Sequence, residues 1–266
     1  MNNHIEEWAI MKRLCGLLLA GLAFTSHAEL LQVSNGRGST VPVYWERTEG
    51  ATATVILLAG GDGQVKFGGD GKPRGSNFLV RTYGQFAAQK LNVAVVGTAD
   101  DTPLSYEFRV SDDHTADLAS IASTVRGLSA VPVWLVGTSR GTISAAATAI
   151  RYDGKKLIDG IVLTSAVVGY KKREAVSRQN IEKIHVPVLV YMHEKDGCVH
   201  CQLSDAKAIG SKFKNATVYG FIAVSGGTEP SGDPCGNQHY HGFIGMESQA
   251  VADIVGWINK PVAVVR

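Results

Sequence analysis

Cysteine is scarce in this chain, charge of one sign does not dominate, and long apolar runs are almost absent. The 26 Lys and Arg against 24 Asp and Glu leave a formal charge of only +2. No basic stripe interleaves with aromatic residues, so a nucleic-acid partner has little support. With four cysteines, Cys198-x-x-Cys201 has no second C-x-x-C to complete a zinc site and no thioredoxin-like surroundings. No ligand set of recognisable metal spacing and no cofactor motif occurs. Internal repeats, low-complexity tracts and interdomain linkers are missing too, which leaves one continuous domain.

The one long apolar run is Leu14 to Phe24, preceded by Met11-Lys12-Arg13 and followed by Ser26-His27-Ala28. A basic pair, a short apolar core and a small-x-small exit are the layout of a secretory signal peptide. Cleavage is expected after Ala28, so residues 1–28 form the signal and 29–266 the domain. The polar stretch Met1 to Ile10 sits awkwardly ahead of the basic pair, and the natural start is expected at Met11. The rival reading, a membrane anchor, asks the run to span a bilayer for which it is too short. The protein is therefore expected in the periplasm or the medium, with no stable membrane anchor.

At 45% hydrophobic content the chain can bury one sizeable core. Continuous apolar runs at 53–59, 93–96, 131–136, 158–163 and 186–192 have the character of strands buried on both faces. Helices are expected at about 77–90, 114–128, 142–152, 203–213 and 243–258, with an early strand at 41–45 and a last strand at 217–222. The stretch 164–185, with its basic cluster Lys171-Lys172-Arg173, has room for one helix and not for a large lid. Strands alternating with helices give an α/β fold with a mostly parallel sheet covered on both faces.

Between the strand at 131–136 and the Ala-rich helix lies Gly137-Thr138-Ser139-Arg140-Gly141. Strand, G-x-S-x-G, helix is the setting of a nucleophile elbow, where a strained turn lifts the serine hydroxyl clear of the sheet. The bland reading is a turn with no chemistry. A serine needs a base to take its proton and an acid to orient that base; in this chain order the acid comes next and the histidine last. Asp196 follows the strand at 186–192, with Glu194 and Asp205 as alternatives. His241 opens the expected terminal helix, with His239 as its rival and Gly242 leaving room for the ring. His193 and His200 are expected to line the pocket or face solvent, and His114 with Asp112, Asp113 and Asp117 to belong to a capped helix start. Two backbone N–H groups should form the oxyanion hole: that of Arg140, and that of Gly61 or Asp62 in the Gly-rich loop after residue 59.

Several segments together resemble the α/β-hydrolase superfamily, and more narrowly its small exported bacterial members of mostly undefined substrate. They are the strand followed by Gly60-Gly61-Asp62-Gly63, Asn77-Phe78-Leu79-Val80-Arg81, Phe108-Arg109 with His114, the elbow with its strand, His193 to Cys198, and Cys235 with His241-Gly242-Phe243. The resemblance spans about residues 40–260. It implies the α/β-hydrolase fold with a small or no lid, Ser139, Asp196 and His241 as a triad, and a disulfide between Cys198 and Cys235 tying the acid loop to the histidine loop. Cys201 departs from that pattern and leaves the pairing open. The function implied is an exported serine hydrolase of carboxylesterase type, acting on a small-molecule or polymeric ester. A peptidase or amidase, a polyester depolymerase, and a non-catalytic binding protein on the same fold are the alternatives.

Overall fold

The structure, a computed structural model, describes residues 27–169 and 171–266. The expected signal segment up to residue 26, and with it the start at Met11, lies outside the described residues.

Nine strands form one sheet. In chain order they are β1 (His27–Ser34), β2 (Thr40–Arg47), β3 (Ala53–Leu58), β6 (Leu91–Val96), β7 (Val133–Thr138), β8 (Gly160–Thr164), β9 (Val188–His193), β10 (Tyr219–Val224) and β11 (Val264–Val265), with β4 (Lys66–Phe67) and β5 (Pro73–Arg74) pairing as a separate small hairpin. The order across the sheet is β1-β2-β6-β3-β7-β8-β9-β10-β11. β1 and β2 run antiparallel to their neighbours and the rest are parallel. Every residue of β3, β6, β7, β8 and β9 is buried, as continuous apolar strands require when both faces are covered.

Alternate residues of each strand serve opposite faces. Ile56 and Leu58 pack with α3 (Asp112–Leu128) and α4 (Gly141–Arg151), while Val55 and Leu57 pack with α1 (Phe78–Ala88) and α6 (Glu247–Asn259). α4 meets the sheet through Ala145, Ala146 and Ala149, whose small side chains let the helix follow the elbow closely. Two short helices, α2 (Tyr106–Arg109) and α5 (Leu203–Ala208), complete the set.

The structure differs from the sequence reading in several places. β1 is an addition, and its first two residues, His27 and Ala28, pair with Arg47 and Glu46. The stretch between β8 and β9, which has room for one helix, carries only short 3₁₀ turns at Val176–Arg178 and Ile181–Lys183 among its described residues. Its side chains bond both within the stretch, Ser177 to the Val168 carbonyl and Gln179 to the Glu174 carbonyl, and to α4, Gln179 to the Ile143 carbonyl. The expected helix 203–213 ends at Ala208 and tightens into a 3₁₀ turn. β10 is not the last strand, because β11 adds beside it.

Candidate active site

Ser139 ends β7 with a left-handed backbone, φ 52°, the strained turn that the pentapeptide predicts. Both flanking glycines are sterically required. A Cβ on Gly137 would meet the Gly141 carbonyl oxygen at 2.4 Å, and one on Gly141 would meet the Leu58 oxygen at 2.1 Å. Gly60 is similarly confined, 2.9 Å from its ideal Cβ to the Ser139 Cβ, so the loop after β3 passes directly beside the serine.

Asp196 lies just past β9 and His241 in a 3₁₀ turn at Tyr240–Gly242. His241 does not open the terminal helix. Phe243 turns left-handed at φ 57° and is buried against Phe78 and Tyr191, and α6 begins only at Glu247. Nor does Gly242 make room for the imidazole; a Cβ there would strike the Asn237 carbonyl at 2.3 Å. Across these 45 residues His241 Nδ1 stands 2.8 Å from Asp196 Oδ2, with both side chains buried. A carboxylate only accepts, so Nδ1 carries the proton and Nε2 keeps its lone pair. The other carboxylate oxygen accepts the Cys198 N–H at 2.9 Å. Among the described residues His241 Nε2 has no hydrogen-bond partner. It lines, with Ser139, a cleft of about 490 Å³ bordered by Gly61, Asp62, Asn77 and Cys235. Catalytic hydrogen bonds are commonly open in a free site.

Cys198 and Cys235 are joined, which ties the Asp196 loop to the segment leading to His241. Cys201 is a buried free thiol, pushed well up by burial and by Asp196. A His241 ring nitrogen and the Cys198 and Cys201 sulfurs lie within 4.8 Å of one another. The bridge occupies Cys198 and the Asp196 bond occupies Nδ1, so the group offers no open ligand set.

The rival histidines have other tasks. His193 stacks on Tyr240 at 4.4 Å, accepts the Lys195 N–H on Nδ1 and donates from Nε2 to the Gly226 carbonyl. His239 is set edge-on to Tyr240 and has no carboxylate beside it among the described residues. Glu194 is exposed and Asp205 sits on α5. Ser111 caps α3, Asp112 and Asp113 occupy its first turn, and Asp117 binds Arg37 at 2.7 Å.

Arg109 supplies an element that the sequence reading did not assign. Its guanidinium is 1% exposed, has no carboxylate partner among the described residues, and donates to the carbonyls of Gly61 at 3.2 Å and Ala59 at 3.4 Å and to Ser144 Oγ at 3.0 Å. Burial, then Arg140, brings its pKa down to about 10, which leaves it charged at neutral pH. Ser144 in turn meets His114 Nε2 at 2.9 Å. Burial, then Arg109 and Arg37, brings His114 down to about 3. His114 is therefore neutral, and Ser144 Oγ accepts from Arg109 and hydrogen-bonds the His114 ring. No local signal marks Arg109, because its main acceptors are backbone carbonyls 48 and 50 residues away.

No protein-family model matches the sequence, and no curated protein matches it. Solved structures do. An α/β serine hydrolase without a lid from Xanthomonas campestris superposes with a TM-score of 0.58 at 13% identity, covering 87% of this chain and 96% of that one. An esterase from Pyrococcus furiosus gives 0.62 at 12% identity over 88% and 93% of the two chains, and a dienelactone hydrolase from Anabaena variabilis 0.56 at 12% over 88% and 96%. With its mostly parallel sheet and helices on both faces, and with these structural neighbours, the chain has the α/β-hydrolase fold.

Proposed function

We propose that the protein is an exported serine hydrolase whose substrate is a carboxylic ester. Ser139 Oγ attacks the carbonyl carbon as His241 Nε2 takes its proton, and Asp196 holds and stabilises the imidazolium. The tetrahedral intermediate collapses and expels the alcohol, which receives that proton from Nε2. Water, deprotonated by the same nitrogen, then releases the acid and restores the serine. The observation that carries this reading is the buried His241–Asp196 pair, whose free Nε2 shares a cleft with a serine on a left-handed turn.

The oxyanion would be met by the N–H of Arg140 and that of Asp62. Between Gly61 and Asp62, the buried guanidinium of Arg109 supports Asp62. It binds the Gly61 carbonyl from behind the loop, and in a trans peptide the carbonyl and the next N–H point opposite ways. That geometry would turn the N–H of Asp62 away from Arg109, and Asp62 lines the cleft with Ser139. Donation to the carbonyl also polarises that peptide and strengthens its N–H as a donor.

An ester is favoured over an amide because no helix from 165–187 covers the cleft, and because the similar solved structures include an esterase. Export is supported by the Cys198–Cys235 bridge, and no described helix is long and apolar enough to cross a membrane. A fluorophosphonate probe tests the chemistry: it should label the native protein and leave Ser139→Ala unlabelled, whereas a native protein that resists the probe favours a binding protein of this fold. Turnover of p-nitrophenyl esters against aminoacyl and peptidyl substrates then separates esterase from peptidase. N-terminal sequencing of secreted protein tests cleavage after Ala28.

A further inference from the structure

Beside the proposed nucleophile stands a group of cations that the triad does not use. The guanidinium carbon of Arg140, the residue after Ser139, lies 4.5 Å from the centroid of the Tyr106 ring, and Lys172 Nζ lies 4.9 Å from the same centroid. Both distances are within the range of cation–π attraction. Neither cation has an ion-pair partner among the described residues, although Arg37, Arg74, Arg81, Arg126 and Arg151 are each paired with an acid. Lys171 and Arg173 flank Lys172 and are exposed. His200 joins the same neighbourhood: its pKa is pushed down by burial first, then by Lys172, Arg140 and His241. The acid within reach is Glu107, exposed on α2; its own backbone N–H and the Ser105 hydroxyl hold its carboxyl low, and Lys172 and Arg173 add to that.

Surface lysines normally spend their freedom in water. Here two like charges are gathered on one aromatic ring, partly buried, and neither has an ion-pair partner among the described residues. Stacking on a ring restricts rotamers and strips some hydration while leaving the in-plane N–H groups of a guanidinium free to donate. An arrangement of that kind loses little further entropy on meeting an anion.

We propose that Arg140 and Lys172, clamped on Tyr106, form a subsite for an anionic group, a carboxylate or a phosphate, carried by the ester substrate. The proposal rests on the hydrolase reading and deepens it by naming a substrate class. Arg140 directly follows Ser139 in the chain, which starts its side chain beside the proposed nucleophile.

Two matched pairs of esters test it and locate the anion. On the acyl side, p-nitrophenyl hemiglutarate is compared with p-nitrophenyl pentanoate; on the alcohol side, 3-butanoyloxybenzoate is compared with its methyl ester. In one arm the anionic ester is expected to have a kcat/KM about tenfold higher at low ionic strength, the advantage shrinking in about 0.5 M salt. Lys172→Gln and Tyr106→Leu should each erase most of that advantage. Equal or slower turnover of the anionic ester in both arms, or an advantage that survives Lys172→Gln at low salt, overturns the subsite and leaves the hydrolase reading standing. Failure to turn over any of the four esters would instead strike the hydrolase reading itself.

Discussion

Replacing Arg109 by methionine isolates the part of the proposed mechanism that lies farthest from the reacting atoms. The side chain removes the donors to the Gly61 and Ala59 carbonyls and to Ser144 and puts an apolar group of similar length in their place. Two carbonyls lose a partner, at about 1 to 3 kcal/mol each. Against that stands relief from burying a cation that forms no ion pair among the described residues and has an unpartnered Nε, so the variant should fold. The effect on chemistry should be larger. Without its anchor the peptide between Gly61 and Asp62 can rotate, and loss of one oxyanion donor costs about 3 kcal/mol, or roughly a hundredfold in kcat. Because the donor acts on the tetrahedral state, KM for p-nitrophenyl butanoate should change little. Affinity for a boronic acid that mimics the tetrahedral state should fall by about the same factor as kcat, while a ground-state product acid binds as before. A folded Arg109→Met protein with kcat within about threefold of the original, and undiminished affinity for the boronic acid, would refute the role given to Arg109.

The remaining predictions concern pH and the bridge. His114 has a folded pKa of about 3 against about 6.5 unfolded, so the unfolded chain takes up a proton that the folded one refuses. Its contribution is fully present above pH 6.5 and is lost as pH falls toward 3; from pH 7 to pH 5 that is about 2 kcal/mol of stability. Urea unfolding at the two pH values should show this loss, and His114→Gln should lack it; an identical pH slope in the variant would count against a buried neutral imidazole. The Cys198–Cys235 bridge closes a separation of 37 residues, for which loop-closure entropy gives about 4 kcal/mol. Dithiothreitol, or Cys235→Ser, should lower the unfolding midpoint accordingly and reduce kcat by loosening His241 relative to Asp196; an unchanged midpoint would mean that the bridge contributes nothing in solution.

The sequence by itself determined what depends on local pattern and on steric necessity. Unbroken apolar runs such as Val55 to Leu58 and Val133 to Val136 can only be strands buried on two sides, and their alternation with helical periods fixed a parallel sheet. Gly137 and Gly141 were legible because a turn that presents Ser139 leaves no space for a Cβ on either side. Helix ends that depend on a single backbone angle were not legible: Phe243 in the left-handed region delayed α6 by several residues. Only the tertiary structure decided between His239 and His241, because the choice depends on which ring reaches Asp196, 45 residues away in the chain. It joined Cys198 to Cys235, the pairing that the resemblance implies, and left Cys201 buried and free. Arg109 and the cations on Tyr106 belong to the same class. Their partners are a backbone carbonyl and a ring brought close by the crossing of loops at one sheet edge, and no spacing along the chain records such a meeting.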